Sequence, residues 1–183
     1  YARSRDLKHW ETAAGKPVKV PLTLGQSELC VDPVPAGGGI INGCERLAFD
    51  AHHRPIISYH KLDNNGHMQI YVARFQDGRW KIHPITRWEK NITFRGGGAM
   101  PFIGIRIGPL EPLEPGMFSI RFRHRDYGSG RLILDESTLR PVDRDIAVPR
   151  EYPAELTRPT IAYAGIGTRI AADLGESGGP HQK

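Results

Sequence analysis

The densest group of side chains able to move or neutralise charge lies in RFRHRDYG, Arg121 to Gly128. Alternation along an extended backbone puts Arg121, Arg123 and Arg125 on one face, and Phe122, His124 and Asp126 on the other. Tyr127 follows at the end of the run, beside Gly128. A phenol close to a guanidinium can have its pKa lowered, so Tyr127 near Arg123 or Arg125 suits proton transfer. The plainer alternative is a solvated basic strand ending in a turn tyrosine. His60, in SYHK, shares a face with Ile56 and Ser58. Its imidazole titrates near neutrality and can act as a base or as the partner of a carboxylate, or it can be a hydrogen-bonded structural histidine. Asn42, in IING, can offer an amide to a carboxylate or merely open an Asn-Gly turn. The set is suited to general acid–base chemistry beside a bound anion.

These residues need strands to position them. INGCERLAFD, RPIISYHKLD, MQIYVARFQD and GRWKIHPITRW are short runs rich in Ile, Val, Phe, Tyr and Trp. AHH, NNGH and the Asp-Gly of QDGRW separate them, and such linkers are strong hairpin signals. Residues 42–88 are therefore expected to form one four-stranded antiparallel sheet. Its turns fall near Ala51–His53, Asn64–Gly66 and Asp77–Gly78, a span matching one β-propeller blade.

Around this blade, residues 1–24 read as the end of a preceding one, with YARSRD as an outer strand and KVPLTL as another. Gly25 to Gly39 is a Gly/Pro-rich connector. Residues 98–142 supply the next blade as GAMPFIGIRIGPL, MFSIRFRHRDYG and GRLILDESTLRPV, with LEPLEPG as a long Pro-rich connection. Residues 143–183 pattern weakly and hold one or two short strands at best. The Gly-Gly-Gly runs at 37–39 and 96–98 each precede an inner strand, where glycine permits positive φ and close backbone approach. The expected fold is all-β: a single partial β-propeller of two to three four-stranded antiparallel blades, incomplete at both ends. Two sheets forming a sandwich is the alternative. In a propeller, His60 and the His124–Tyr127 pair sit on second strands of adjacent blades and converge on one mouth, neither His60 nor Tyr127 deep in the core.

Composition agrees. Gly (21) and Pro (15) make up about a fifth of the 183 residues, against a usual level of roughly 12%, which suits short strands and many turns. Hydrophobic residues are 39%, and no apolar run reaches the roughly 18 residues of a membrane span. The net charge of +5 is scattered and does not alternate with stacking aromatics, so nucleic acid is not the expected partner; an acidic polysaccharide fits as well. Cys30 and Cys44 are too few to define a disulfide framework and are expected as free, buried thiols. The chain opens in YARSRD without Met and ends in GESGGPHQK. It reads as a piece of a longer protein whose remaining blades lie elsewhere.

SRDLKHWE (Ser4 to Glu11) is close to the Asp-box of sialidase-type propellers, one residue short. Its Ser and Asp are expected to hold a turn, and its Trp to pack between sheets. RSRDLKHWETAAGKPVKVPLTL, VDPVPAGGGIING, RPIISYHKLDNNGHMQIYVARFQDGRWKI, FRGGGAM and HRDYGSGRLILDESTLRPV together resemble bacterial proteins named for BNR repeats. That group is similar to seven-bladed propeller lyases that cleave ulvan, a sulfated polymer containing uronic acid. The resemblance implies a secreted or periplasmic polysaccharide lyase acting on a uronate polymer by β-elimination, with no cofactor and no metal. Arg, His or an amide would neutralise the substrate carboxylate. His60, Tyr127 and His124 would be the acid and base, and Asn42, Arg123 and Arg125 would bind substrate. The catalytic histidines of those lyases do not align residue by residue, and Asn42 stands roughly where one is expected.

Two other classes of function compete, a glycoside hydrolase or sialidase-like propeller and a non-catalytic one. A glycoside hydrolase needs two facing carboxylates, and Asp32, Glu45 and Asp126 are the candidates, with no spacing that pairs them. A sialidase-like site would need Arg46, Arg106 and Arg123 to converge. A non-catalytic glycan-binding propeller would instead show exposed aromatics and basic residues at the mouth without an acid–base pair. His52, His53 and His67 lie in turns and lack the spacing of a zinc site.

Overall fold

The computed structural model describes residues 1–41, 44–94, 102–143, 153–161 and 163–168. The chain divides into a larger unit, Tyr1–Asp145, and a smaller one, Ile146–Lys183. The described residues form three antiparallel sheets and two 3-10 turns, with no α-helix among them. The smaller unit shows the 3-10 turn Ala154–Thr157 and no strand among its described residues, where one or two short strands were expected. Pro153 and Pro159 flank that turn and bring no N–H to a ladder.

The first sheet is slight: β1 (Arg3–Ser4), β2 (Trp10–Glu11) and β3 (Pro17–Val18), in that order. KVPLTL was expected to continue as a strand, but pairing stops at Val18, and Val20, Leu22 and Leu24 are exposed. Pro21, in the middle of that run, has no N–H to offer a partner. A connector with one 3-10 turn, Ser27–Leu29, leads to the second sheet.

The second sheet is β4 (Arg46–Phe49), β5 (Pro55–Leu62), β6 (Met68–Gln76) and β7 (Arg79–Pro84), side by side in sequence order. This is the meander expected from the hairpin signals, except that Asn42 and Gly43 lie outside the described residues. Its turns use the side chains one would choose. Asp50 accepts from the backbone N–H of His52 and Arg54, and Asp63 from those of Asn65 and His67. Asp77 and Gly78 both take positive φ, 54° and 76°, as a two-residue primed turn requires.

The third sheet runs β8 (Ile105–Glu114), β9 (Met117–His124), β10 (Gly128–Asp135), with β9 central. Here the expected Pro-rich connection is corrected: LEPLE is strand, and the chain reverses only at Pro115 and Gly116. Among the described residues β8 is paired with a strand on one side alone, so Pro109 and Pro112 are tolerated, with register shifts between Ile107 and Leu110 and between Pro112 and Glu114.

The core lies between the second and third sheets. Ile56, Met68, Ile70 and Val72 meet Ile105, Ile107, Leu110, Phe118, Ile120 and Leu134, and β4 and β5 lie against β8. The other face of the second sheet packs Tyr59, Tyr71 and Ala73 under Val31, Ile40 and Ile41 of the connector. Gly39 explains how the connector comes so close. Its φ is +85°, and a Cβ there would lie 2.9 Å from the backbone N of Leu62 and 2.8 Å from that residue's Cγ. The second glycine run, 96–98, falls outside the described residues. Cys30 and Cys44 are both free; Cys44 is buried as expected, whereas Cys30 is exposed. The described sheets are open at their edges and do not close on one another.

Candidate functional site

One end of the paired sheets collects most of the chemistry. Arg74 on β6 donates to the carbonyls of Glu136 and Ser137, and Ala51 N–H donates to Glu136 Oε1. Those bonds join the 50–54 turn to the end of β10. The opposite ends of the strands, with the 63–67 turn and the 125–127 turn, must therefore also coincide. His60 and His124 both sit near that second end, on β5 and β9.

A segment leaving β7 crosses this end. Ile85 N–H donates to Ile70 O, and Met68 N–H to Lys90 O. Between them the nearly buried amide of Gln69 grips Trp88 twice: Nε2 donates to Trp88 O at 2.7 Å, and Oε1 accepts from Trp88 N–H at 2.9 Å. The segment then reaches the third sheet. Glu89 N–H donates to Tyr127 Oη at 2.9 Å, and Arg125 Nη2 donates to Asn91 O at 2.8 Å. Trp88 and Tyr127 stack nearly parallel, with centroids 5.3 Å apart and planes 12° apart.

His124 supports this stack from within. Its ring lies 4.6 Å from Trp88 and 4.9 Å from Tyr127, and is almost fully buried. Nδ1 accepts the backbone N–H of Asp126 and of Tyr127. The proton of the neutral ring is therefore on Nε2, which is buried without a hydrogen-bond partner among the described residues. Burial pushes its pKa down, with Arg125 adding to the effect and Asp126 opposing it.

His60 was expected outside the deep core and is instead only 1% exposed. Its face carries Ile56, which is packed against the third sheet, and Gly39 closes over its ring. Nδ1 can only donate to Gly39 O, 2.9 Å away, so this histidine holds the opposite tautomer. Burial lowers its pKa as well. Tyr127 is 40% exposed, in agreement with the expectation that it avoids the core. Arg125 is exposed and pairs with Asp126 at 3.1 Å, and the Arg123 guanidinium lies 4.6 Å from the Phe102 ring centroid. Asn42 lies outside the described residues. The structure thus brings His124, Tyr127 and Arg125 together, while His60 is tied to the connector.

The carboxylate candidates are spread out. Asp32 accepts from Tyr59 Oη and pairs with Lys61 at 2.6 Å, against the connector-covered face. Asp126 is in the 125–127 turn with Arg125, and Glu45 precedes β4. Of the three arginines considered together, Arg106 and Arg123 are direct cross-strand neighbours, and Arg46 is on β4 of the other sheet.

Trp88 and Gln69 are the residues that sequence reasoning missed. Trp88 passes as the end of a strand and Gln69 as an ordinary strand residue; their importance comes from partners far along the chain. A groove of 400 Å³ opens beside them, lined among others by Asp63, His67, Gln69, Arg87, Trp88 and Glu89. In the first sheet the SRDLKHWE turn is built as expected: Ser4 Oγ accepts from Asp6 and Leu7 N–H, and Asp6 Oδ1 from Lys8 and His9 N–H. The His9 N–H foremost, then the His9 imidazole and the Lys8 N–H, hold the Asp6 carboxyl far below its usual range. Trp10 is half-buried and donates to Leu7 O.

No curated protein matches this chain. Residues 1–88, which span the first sheet, the connector and the second sheet, match the family model described as a BNR repeat-containing family member; the third sheet lies beyond the match.

Proposed function

We infer that this chain carries part of a propeller-type module that binds carbohydrate at the Trp88–Tyr127 end without cleaving it. The observation that carries the reading is the aromatic platform itself. Tyr127 is half in solvent, its ring backed flat by Trp88 and its hydroxyl fixed by Glu89 N–H. Exposed aromatics held rigid in this way match the C–H face of a pyranose, and Tyr keeps a polar edge for the sugar hydroxyls. Arg125 stands beside the platform, and the groove past Glu89 extends it. A propeller arrangement is supported by the sequential meander of β4 to β7, by β8 to β10 repeating the order, and by β4 and β5 lying on β8. The BNR-type match over residues 1–88 supports the same reading.

Binding is favoured over β-elimination because two of the three residues that would supply acid and base, His60 and His124, are buried and bonded to backbone, which leaves Tyr127 as the one exposed member. An open groove with an ionisable pair facing it is what elimination needs. The test is calorimetric titration of the full chain with a panel of neutral and acidic oligosaccharides. Tyr127→Ala should weaken binding by about tenfold, ~1.4 kcal/mol, with the melting temperature little changed, and Tyr127→Phe should lose less. Equal binding by Tyr127→Ala and wild type would overturn the platform. An unsaturated, ultraviolet-absorbing product from any uronate polymer would replace binding with lyase action.

A further inference from the structure

A second groove, of 570 Å³, opens between the end of β7 and the chain that leaves β10. Register places His83 of β7 directly opposite Val72, which packs toward the third sheet, so His83 faces that sheet too. Both walls are fixed. On one, Thr86 Oγ1 accepts from Ile70 N–H and donates to Gln69 Oε1, which anchors the backbone before Arg87. On the other, Pro141 bridges to Leu134 and Val142 N–H donates to Ile133 O, which anchors the backbone after Arg140. His83, Arg87 and Arg140 line the groove with Pro84, Ile85 and Pro141, and no carboxylate lines it among the described residues. Burial first, and then the charges of Arg140, Arg74 and Lys81, hold the His83 pKa below that of a free histidine, with no described carboxylate opposing them. Arg74 and Lys81 already have partners in Glu136 O and Asp77. The Arg87 and Arg140 guanidinium groups have none among the described residues.

We propose that this groove binds the phosphate group of a small phosphorylated molecule. A carboxylate has two oxygens and is filled by one guanidinium fork, whereas a phosphate group presents three and can span two forks. Its second ionisation lies near pH 6, so close to neutrality a phosphate monoester still holds part of its last proton and can donate it. The neutral ring of His83 has an acceptor nitrogen for that proton. Sulfate has the oxygens but no proton to give. The cations are gathered in one groove flanked by prolines, which suits one compact anion and not a polymer with charges in a row. Nucleic acid would need stacking aromatics, and none lines the groove among the described residues. Arg87 also borders the groove beside Trp88, but neither Trp88 nor Tyr127 lines this one.

Inorganic phosphate is the probe, with sulfate and acetate as comparisons, each titrated into the full chain by calorimetry at about pH 6.5 and matched ionic strength. Phosphate should bind about fivefold more tightly than sulfate and about tenfold more tightly than acetate. Arg87→Gln and Arg140→Gln, at exposed positions, should each lose about tenfold in phosphate affinity, with the melting temperature of the free chain maintained. Arg79→Gln removes the same charge from an exposed position elsewhere on β7 and should stay within about twofold of wild type. His83→Ala should bring phosphate and sulfate to within about twofold of each other. The His83 imidazole resonance, assigned by its absence in His83→Ala, should titrate at a higher pH in phosphate than in chloride. Absence of phosphate binding, sulfate or acetate bound as tightly as phosphate, equal losses in Arg79→Gln and Arg140→Gln, or a His83 titration that phosphate leaves unmoved would each overturn the proposal.

Discussion

His60 and His124 are both almost fully buried, yet they hold their single proton on opposite nitrogens because their partners differ. His60 donates from Nδ1 to a carbonyl; His124 accepts at Nδ1 from two turn amides. Protonating His124 would point a new N–H at two N–H groups, and protonating either ring would place a charge in a dry site. Both pKa values lie below that of a free histidine. The unfolded chain then binds protons at a higher pH than the folded one, so stability is complete above about pH 6.5 and falls as the pH drops from there toward the folded-state values. Denaturant midpoints across this range should show wild type losing stability on acidification. The double variant His60→Asn, His124→Asn, whose amides can reproduce both bonds, should show a flatter profile; an equally steep one would remove these two residues as the cause. Alternation correctly paired His60 with Ile56 and Ser58. It could not say what covers that face, and the cover is Gly39, twenty-one positions upstream.

At the scale of the element, what was legible was local. The four strands of the second sheet follow from turn dipeptides and period-two patterning, whose causes lie within a few residues. LEPLE was misread because the cost of proline in a strand depends on whether its N–H side faces a partner, and edge position is a property of the whole sheet. The platform escaped notice for a related reason: Glu89 and Tyr127 are thirty-eight positions apart and meet only once both sheets are stacked. The glycine run 37–39 was legible as conformation, and its two positive-φ members now divide into separate roles. Gly37 has φ +79° with nothing within 4 Å of an added Cβ, whereas Gly39 would drive one into Leu62 and Met68. Gly37→Ala should cost about 1 kcal/mol from the left-handed backbone alone. Gly39→Ala should cost about 2 kcal/mol more from overpacking against the β5–β6 hairpin. Urea unfolding of the pair decides it; equal losses would mean that the connector does not need its close approach.

Across the larger unit, the two main sheets are joined by an apolar core and, at the end away from the platform, by one buried arginine. The Arg74 side chain is 5% exposed. From β6 it donates to Glu136 O at 2.5 Å and Ser137 O at 2.6 Å, just beyond β10, and to Gln76 Oε1 on its own strand. Asp50, fully buried, lies 3.7 Å from it and pairs more closely with Arg54 at 2.7 Å. Burial lowers the Arg74 pKa, but guanidinium stays charged at any ordinary pH, so its weight in the fold is set by the bonds it makes. Arg74→Met keeps the aliphatic stem against the core while leaving two carbonyls and part of the Asp50 charge without their donor. The expected loss is about 3 kcal/mol. Arg54→Met, at a partly exposed position, should lose about 1 kcal/mol. Hydrogen exchange locates the effect. Because the second sheet retains its own ladder and the connector on its other face, amides of β8 to β10 should lose more protection in Arg74→Met than those of β5 and β6. If both sheets lose protection equally, they unfold as one cooperative block and the arginine is a general stabiliser. If neither changes, the Arg74 bonds do not couple the two sheets.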